Sequence, residues 1–230
     1  MKKFILFFSI VIVLYSSFRI FYDSNSGTGV VYAVSVIGQE NEIMKAARTG
    51  LDKFLPMIPS GYENLYGFNS REDFLKADAG TPYEVYSIST EFLKNEGSDM
   101  KDYFYQTDEW RVPVIVNGRM CCLLTVVKEN ELYKCVDLGG AALANELSNY
   151  EKFFNSELQK KAILRLYQIN CDFLVFIPKN GSLSNGDFYA LSSSRTSLGT
   201  YQTIGESAYR FDEVSPVIKL KYSEEPGIKN

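Results

Sequence analysis

Histidine is absent from all 230 residues. That absence excludes Ser-His-Asp and Cys-His catalysis, imidazole acid–base chemistry and any His-ligated zinc or iron. No Cys-x-x-Cys pair, phosphate-binding loop, dinucleotide fingerprint, Gly-x-Ser-x-Gly elbow or Asp-rich calcium loop occurs. No cofactor and no metal is therefore implied. Excess positive charge is lacking too: a formal net charge of −4 and a pI near 5.1 disfavour binding to nucleic acid. No repeat of 20–50 residues occurs, which excludes solenoids and propellers. What remains is a chain that is 46% hydrophobic and 14% aromatic, enough apolar material for one domain with a real core.

The first 18 residues read as an export signal. Lys2 and Lys3 form a positive start, and Phe4–Phe18 is apolar apart from its serines. The stretch is short for a membrane span of about 20 residues and suits a secretory leader. Val31 and Ala33 supply small residues for cleavage after Ala33. Left uncleaved, Phe4–Tyr22 is an anchor, with Arg19 at the outer interface and the two lysines in the cytoplasm. Residues 1–33 are thus read as a signal peptide or membrane anchor, and 34–230 as a single exported domain. The membrane is a partner only through that anchor. A polar stretch at 94–109 marks a possible subdomain break.

Within the body, Ile43, Ala47, Leu51, Phe54, Leu55 and Ile58 recur at helical spacing, which predicts an amphipathic helix over 41–58. Leu143, Leu147, Tyr150, Phe154 and Leu158 predict a second. Between them, Val112–Val116 and Arg119–Val127 flank Asn117-Gly118, the strongest short hairpin signal. Leu132–Leu138 predicts the next strand, and Pro113 places its own strand at a sheet edge. A further hairpin is predicted over Ala162–Ile169 and Asp172–Ile177, then strands at Asp187–Leu191 and Val217–Tyr222. These elements predict an α+β fold: an antiparallel β-sheet built from hairpins, with two long amphipathic helices packed on one face.

Four groups of residues are candidates for chemistry. Cys121 and Cys122 are adjacent on a strand and point to opposite faces, so with Cys135 and Cys171 they are candidates for disulfides rather than zinc ligands. An equal alternative is four reduced thiols filling the core, and a thiol–disulfide protein is a third. Ser98 and Lys101 match the Ser-x-x-Lys spacing of penicillin-recognising enzymes, without the two companion motifs. Asp108 and Glu109 are a carboxylate pair of the kind glycosidases use, though adjacent carboxylates in a charged stretch are commonly just solvated. Aromatics crowd residues 62–110. Among them Tyr103, Tyr105 and Trp110, with Asp108, form a candidate surface for stacking sugar or peptide groups beside a hydrogen-bond acceptor. The alternative is that these rings fill the core beneath long loops.

Three stretches, GLDKFLPMIPSGYENLYGF at 50–68, EWRVPVIVNGRM at 109–120 and RLYQINCDFLVFIP at 165–178, resemble exported bacterial proteins of uncharacterised function. The resemblance implies export and an α+β domain and carries no catalytic residue. The function expected is a secreted or membrane-anchored, extracytoplasmic, non-enzymatic domain that binds a protein, peptide or glycan. The alternative is an exported hydrolase using carboxylates or the Ser98–Lys101 pair.

Overall fold

The structure, a computed structural model, describes residues 29–94, 103–199 and 207–225, with side chains from residue 38 onward. Residues 1–28 of the leader, with Ser98 and Lys101, lie outside the described residues, and 29–33 of the leader belong to a helix. The chain divides into a unit of residues 1–39 and a compact unit of 40–230. Helix α1, Gly29–Phe54, enters the compact unit at Glu40. Among the described residues no helix is long and apolar enough to cross a membrane.

The compact unit is a mixed α/β body built on one open sheet of nine strands, mostly antiparallel. In chain order the strands are β1 (Asp78–Ala79), β2 (Tyr83–Ile88), β3 (Phe104–Val116), β4 (Arg119–Glu129), β5 (Leu132–Gly139), β6 (Gln159–Leu166), β7 (Cys171–Pro178), β8 (Asp187–Ala190) and β9 (Ala208–Tyr209). In space they run β5-β4-β3-β2-β6-β7-β8-β9, and β1 adds a second short pairing to β3. The only parallel pair, among the described strands, is β2 with β6 at the centre. Helix α3 (Ala141–Tyr150) makes the crossover that brings β6 there.

Alternation along the strands assigns the core to two faces. On one face Ile43, Ala47 and Leu51 of α1 pack on Val112, Val114, Cys122, Leu124 and Val126. Farther along that face, Phe211, Val214 and Ile218 of α5 (Phe211–Glu224) pack on Leu164, Phe173, Val175 and Phe188, beside α2 (Thr90–Lys94) and α4 (Ser192–Leu198). Glu84, paired with Trp110 on one side and Ala162 on the other, shows that these clusters share a face. On the opposite face Ala144, Leu147 and Tyr150 of α3 pack on Tyr83, Leu123, Ile163, Leu174 and Phe176.

Several elements differ from their sequence reading, each for a physical reason. The second helix stops at Tyr150, followed by a 3-10 turn over Glu151–Phe153, and Leu158 ends up 65% exposed beyond it. Helices α1 and α3 lie on opposite faces, since Leu123 under α3 sits between Cys122 and Leu124 under α1. Residues 104–109 extend β3 because their backbone pairs with β2 and β4. Pro113 stands in an interior strand. Its carbonyl accepts from Gly80 N at 2.7 Å, so its ring nitrogen faces the gap between β1 and β2, where no ladder donor is needed. Val217–Tyr222 is helical. Phe211, Val214, Ile218 and Tyr222 bury one helical stripe, and Arg210 N donates to Glu213 at the helix start.

Candidate functional site

Ten residues of α3 span about 15 Å, too little to cover six strands. The part of this face beyond α3 carries polar side chains on four neighbouring strands: Glu109 and Arg111 on β3, Ser87 on β2, Arg165 on β6 and Asp172 on β7. Their facing follows from register, since Arg111 pairs with Tyr83 and Arg165 with Asp172.

The four charges form one array. Arg165 Nε donates to Asp172 Oδ1 at 2.7 Å, and its NH2 donates to Oδ2 at 3.3 Å. Glu109 Oε1 lies 2.6 Å from Arg111 NH2 and 3.8 Å from Arg165 NH1. The first of these is an ion contact without hydrogen-bond alignment, and Arg111 Nε is buried with no acceptor among the described residues. Arg111 NH1 reaches Thr125 Oγ1 at 2.5 Å. Ser193, at the start of α4, donates to Asp172 Oδ2 at 3.3 Å and accepts from Asp172 N at 3.0 Å. The side chains of the four charges are only 16–22% exposed, so each would be costly without its partners.

Two tyrosines flank the array. Tyr167, in the β6–β7 turn, is 49% exposed, lies 5.8 Å from the Arg165 guanidinium and donates to Glu109 Oε2 at 3.4 Å. Burial, and after it the Glu109 charge, raises its phenol above the ordinary tyrosine range, so at neutral pH it is a donor. Tyr105 is 48% exposed and pairs with Ser87, whose hydroxyl donates to Arg165 O at 2.8 Å. Tyr105, Ser87 and Arg165 therefore stand side by side on three adjacent strands, with the small, fully buried Ser87 between two large groups.

The residues singled out from sequence separate. Tyr105 joins the array. Trp110 is 3% exposed, packed edge-on against Tyr133 at 5.4 Å beneath α1, and is core. Tyr103 is half-buried against Phe92 at 5.4 Å. Asp108 is exposed while its neighbour Glu109 faces the array, because successive strand side chains alternate. The two carboxylates are thus not a catalytic pair on one face. Arg165 and Asp172 were not singled out, although opposite charges seven residues apart around a predicted turn are a cross-strand signal.

All four cysteines are free thiols. A bulge sets Cys121 and Cys122 together opposite Val114, so both enter the cluster under α1 instead of facing opposite ways. Burial pushes the Cys122 thiol up to about 12 and Cys135 up to about 11, and it raises Cys121 and Cys171 as well. Thiols held protonated in this way are poor nucleophiles. Among the described residues no group of three or more His, Cys, Asp or Glu is placed to hold a metal ion. Comparison with protein family models, with curated proteins and with solved structures finds no match to this chain.

Proposed function

We propose that this chain is an exported, non-enzymatic interaction domain, and that the uncovered part of the α3 face receives a protein or peptide outside the cytoplasm. One observation carries the reading: two half-exposed tyrosines flank a neutral, internally paired array of two arginines and two carboxylates on rigid strands. Tyrosine and arginine are the residues on which protein interfaces concentrate their energy. Here ordering them costs little, because Arg165 and Arg111 are already held by their partners. The surface lies on adjacent strands rather than in a cavity, which suits a flat macromolecular partner better than a small molecule. The leader supports export, with the body released after Ala33 or held by Phe4–Tyr22.

Two measurements test this. Intact mass of the protein recovered from the cell envelope and medium distinguishes a released body from an anchored one; a chain found only in the cytoplasm contradicts export. Panning of the exported protein against a random peptide display library should select peptides whose binding falls at least tenfold in the Tyr105→Ala, Tyr167→Ala double variant. Binding unchanged in that variant contradicts the assigned surface.

A further inference from the structure

A concavity lies between α3 and the start of α4, with a volume of about 410 Å³, within the size range of small-molecule sites. Its floor is a structural clamp. Glu146 Oε1 accepts from Arg195 NH2 at 2.7 Å, from Ser192 N at 2.8 Å and from Ser192 Oγ at 2.8 Å. Arg195 NH1 is taken up by Tyr150 OH at 3.1 Å and Ala190 O at 2.5 Å. These bonds explain why Glu146 and Arg195 are there, and they leave other groups facing the cleft.

All three donors converge on a single oxygen of Glu146, and its Oε2 meets no donor among the described residues. Asn145 and Asn149 also line the cleft, exposed, their side-chain carboxamides without a hydrogen-bond partner among the described residues. They stand one helical turn apart, about 5–6 Å between their Cβ atoms. Phe153 adds an apolar wall, 51% exposed and stacked on Tyr189 at 5.8 Å. The cleft therefore offers a fixed carboxylate oxygen that only accepts, two carboxamides that both donate and accept, one hydrocarbon surface, and the Lys152 ammonium as a donor, its Nζ 4.9 Å from the Phe153 ring centroid.

We infer that this cleft binds a neutral sugar. A carboxamide holds a donor and an acceptor side by side, a spacing that meets two vicinal hydroxyls at once. The clamped carboxylate accepts a third hydroxyl proton, and the C–H edge of a pyranose ring rests on Phe153. A carboxylate or phosphate ligand would meet the Glu146 carboxylate and find Arg195 NH1 and NH2 already engaged, and the other cation of the lining, Lys152, rests against the Phe153 ring, so a neutral ligand is favoured. The site is separate from the Tyr105–Tyr167 surface and does not depend on it.

The test is an NMR titration of the exported protein with chitotriose, cellotriose and maltotriose, and with a neutral tripeptide amide as the competing class. One of the saccharides should shift the amide resonances of Asn145 and Asn149 and the Phe153 ring, saturably. The Asn145→Ala, Asn149→Ala double variant should weaken that binding at least tenfold. Alanine is the better helix former at exposed sites, so this variant keeps the fold. The Tyr105→Ala, Tyr167→Ala variant should leave saccharide binding unchanged. Three results overturn the inference: no saccharide perturbing the cleft, the tripeptide amide binding there instead, or binding that survives loss of both asparagines.

Discussion

Arg165 and Asp172 face each other across the β6–β7 pair, the guanidinium forking onto both carboxylate oxygens at 2.7 and 3.3 Å. The pair anchors the array, because the same guanidinium also reaches Glu109. Removing it leaves Asp172 without its cation and takes from Glu109 the more distant of its two guanidinium neighbours. Arg165→Ala is expected to cost about 1–3 kcal/mol, below the value for a fully buried pair because some water reaches it. Arg165→Lys should recover only part of the loss, since an ammonium cannot make the fork. Urea denaturation at neutral pH checks both, and an Arg165→Ala cost below about 0.5 kcal/mol would show the array to be solvated ornament.

Gly50 sits where α1 crosses β5. A Cβ there would lie 2.3 Å from Cys135 Sγ and 2.6 Å from Cys135 Cβ. The sulfur can rotate away, but the Cβ cannot, so Gly50→Ala forces the helix off the strand. Overpacking of this kind costs about 1–3 kcal/mol, against a helix-propensity gain of at most about 1 kcal/mol. Net destabilisation is expected. In the double variant with Cys135→Gly most of the Gly50→Ala cost should disappear, which a double-mutant cycle measures directly.

The buried thiols make the fold sensitive to alkali. A thiol whose folded value is raised keeps its proton in the native state while the unfolded chain, near 8.5, has lost it. Unfolding then releases a proton, so this contribution is whole below about pH 8.5 and declines as pH rises toward the folded value, about 12 for Cys122. The slope is at most about 1.4 kcal/mol per pH unit for this thiol. Stability measured from pH 8 to pH 10 should fall, and fall less steeply in Cys122→Ala. An identical slope in both proteins would contradict burial of the protonated thiol.

Alkylation should follow the same order of access. Under native conditions near pH 7.5 iodoacetamide is expected to modify Cys135 first, since it is the only one of the four that is half-exposed, while Cys121, Cys122 and Cys171 react only on unfolding. Simultaneous modification of all four would contradict the packing described.

What could be read in advance was local. Asn117-Gly118 does join β3 to β4, with φ of 50° and 78° at the two residues, because positive φ is written into those residue types. The helix read over 41–58 was legible in part from its apolar stripe: the structure runs it over Gly29–Phe54 and follows it with a 3-10 turn at Leu55–Met57. The long pairings were not. Nothing in the chain announces that β2 and β6, some 80 residues apart, lie side by side, yet that parallel pair is what brings Arg165 to Glu109 and Tyr105. The aromatic cluster was visible as composition only. Position within the sheet then sent Trp110 to the core and left Tyr105 half in solvent. Val217–Tyr222 misled because Ile218, Leu220 and Tyr222 alternate with lysines and a serine-flanked proline precedes them, so a helix interrupted by Pro216 resembles a strand.

The most direct test of the account places a photo-reactive phenylalanine analogue at position 105 in the full chain, with position 220 on the outside of α5 as control; both native side chains are 48% exposed. Irradiation in the cells that make the protein should give a discrete cross-linked extracytoplasmic species from position 105 and none from position 220. No adduct at position 105, or the same adducts from both positions, would contradict the assignment of this sheet face as the interaction surface.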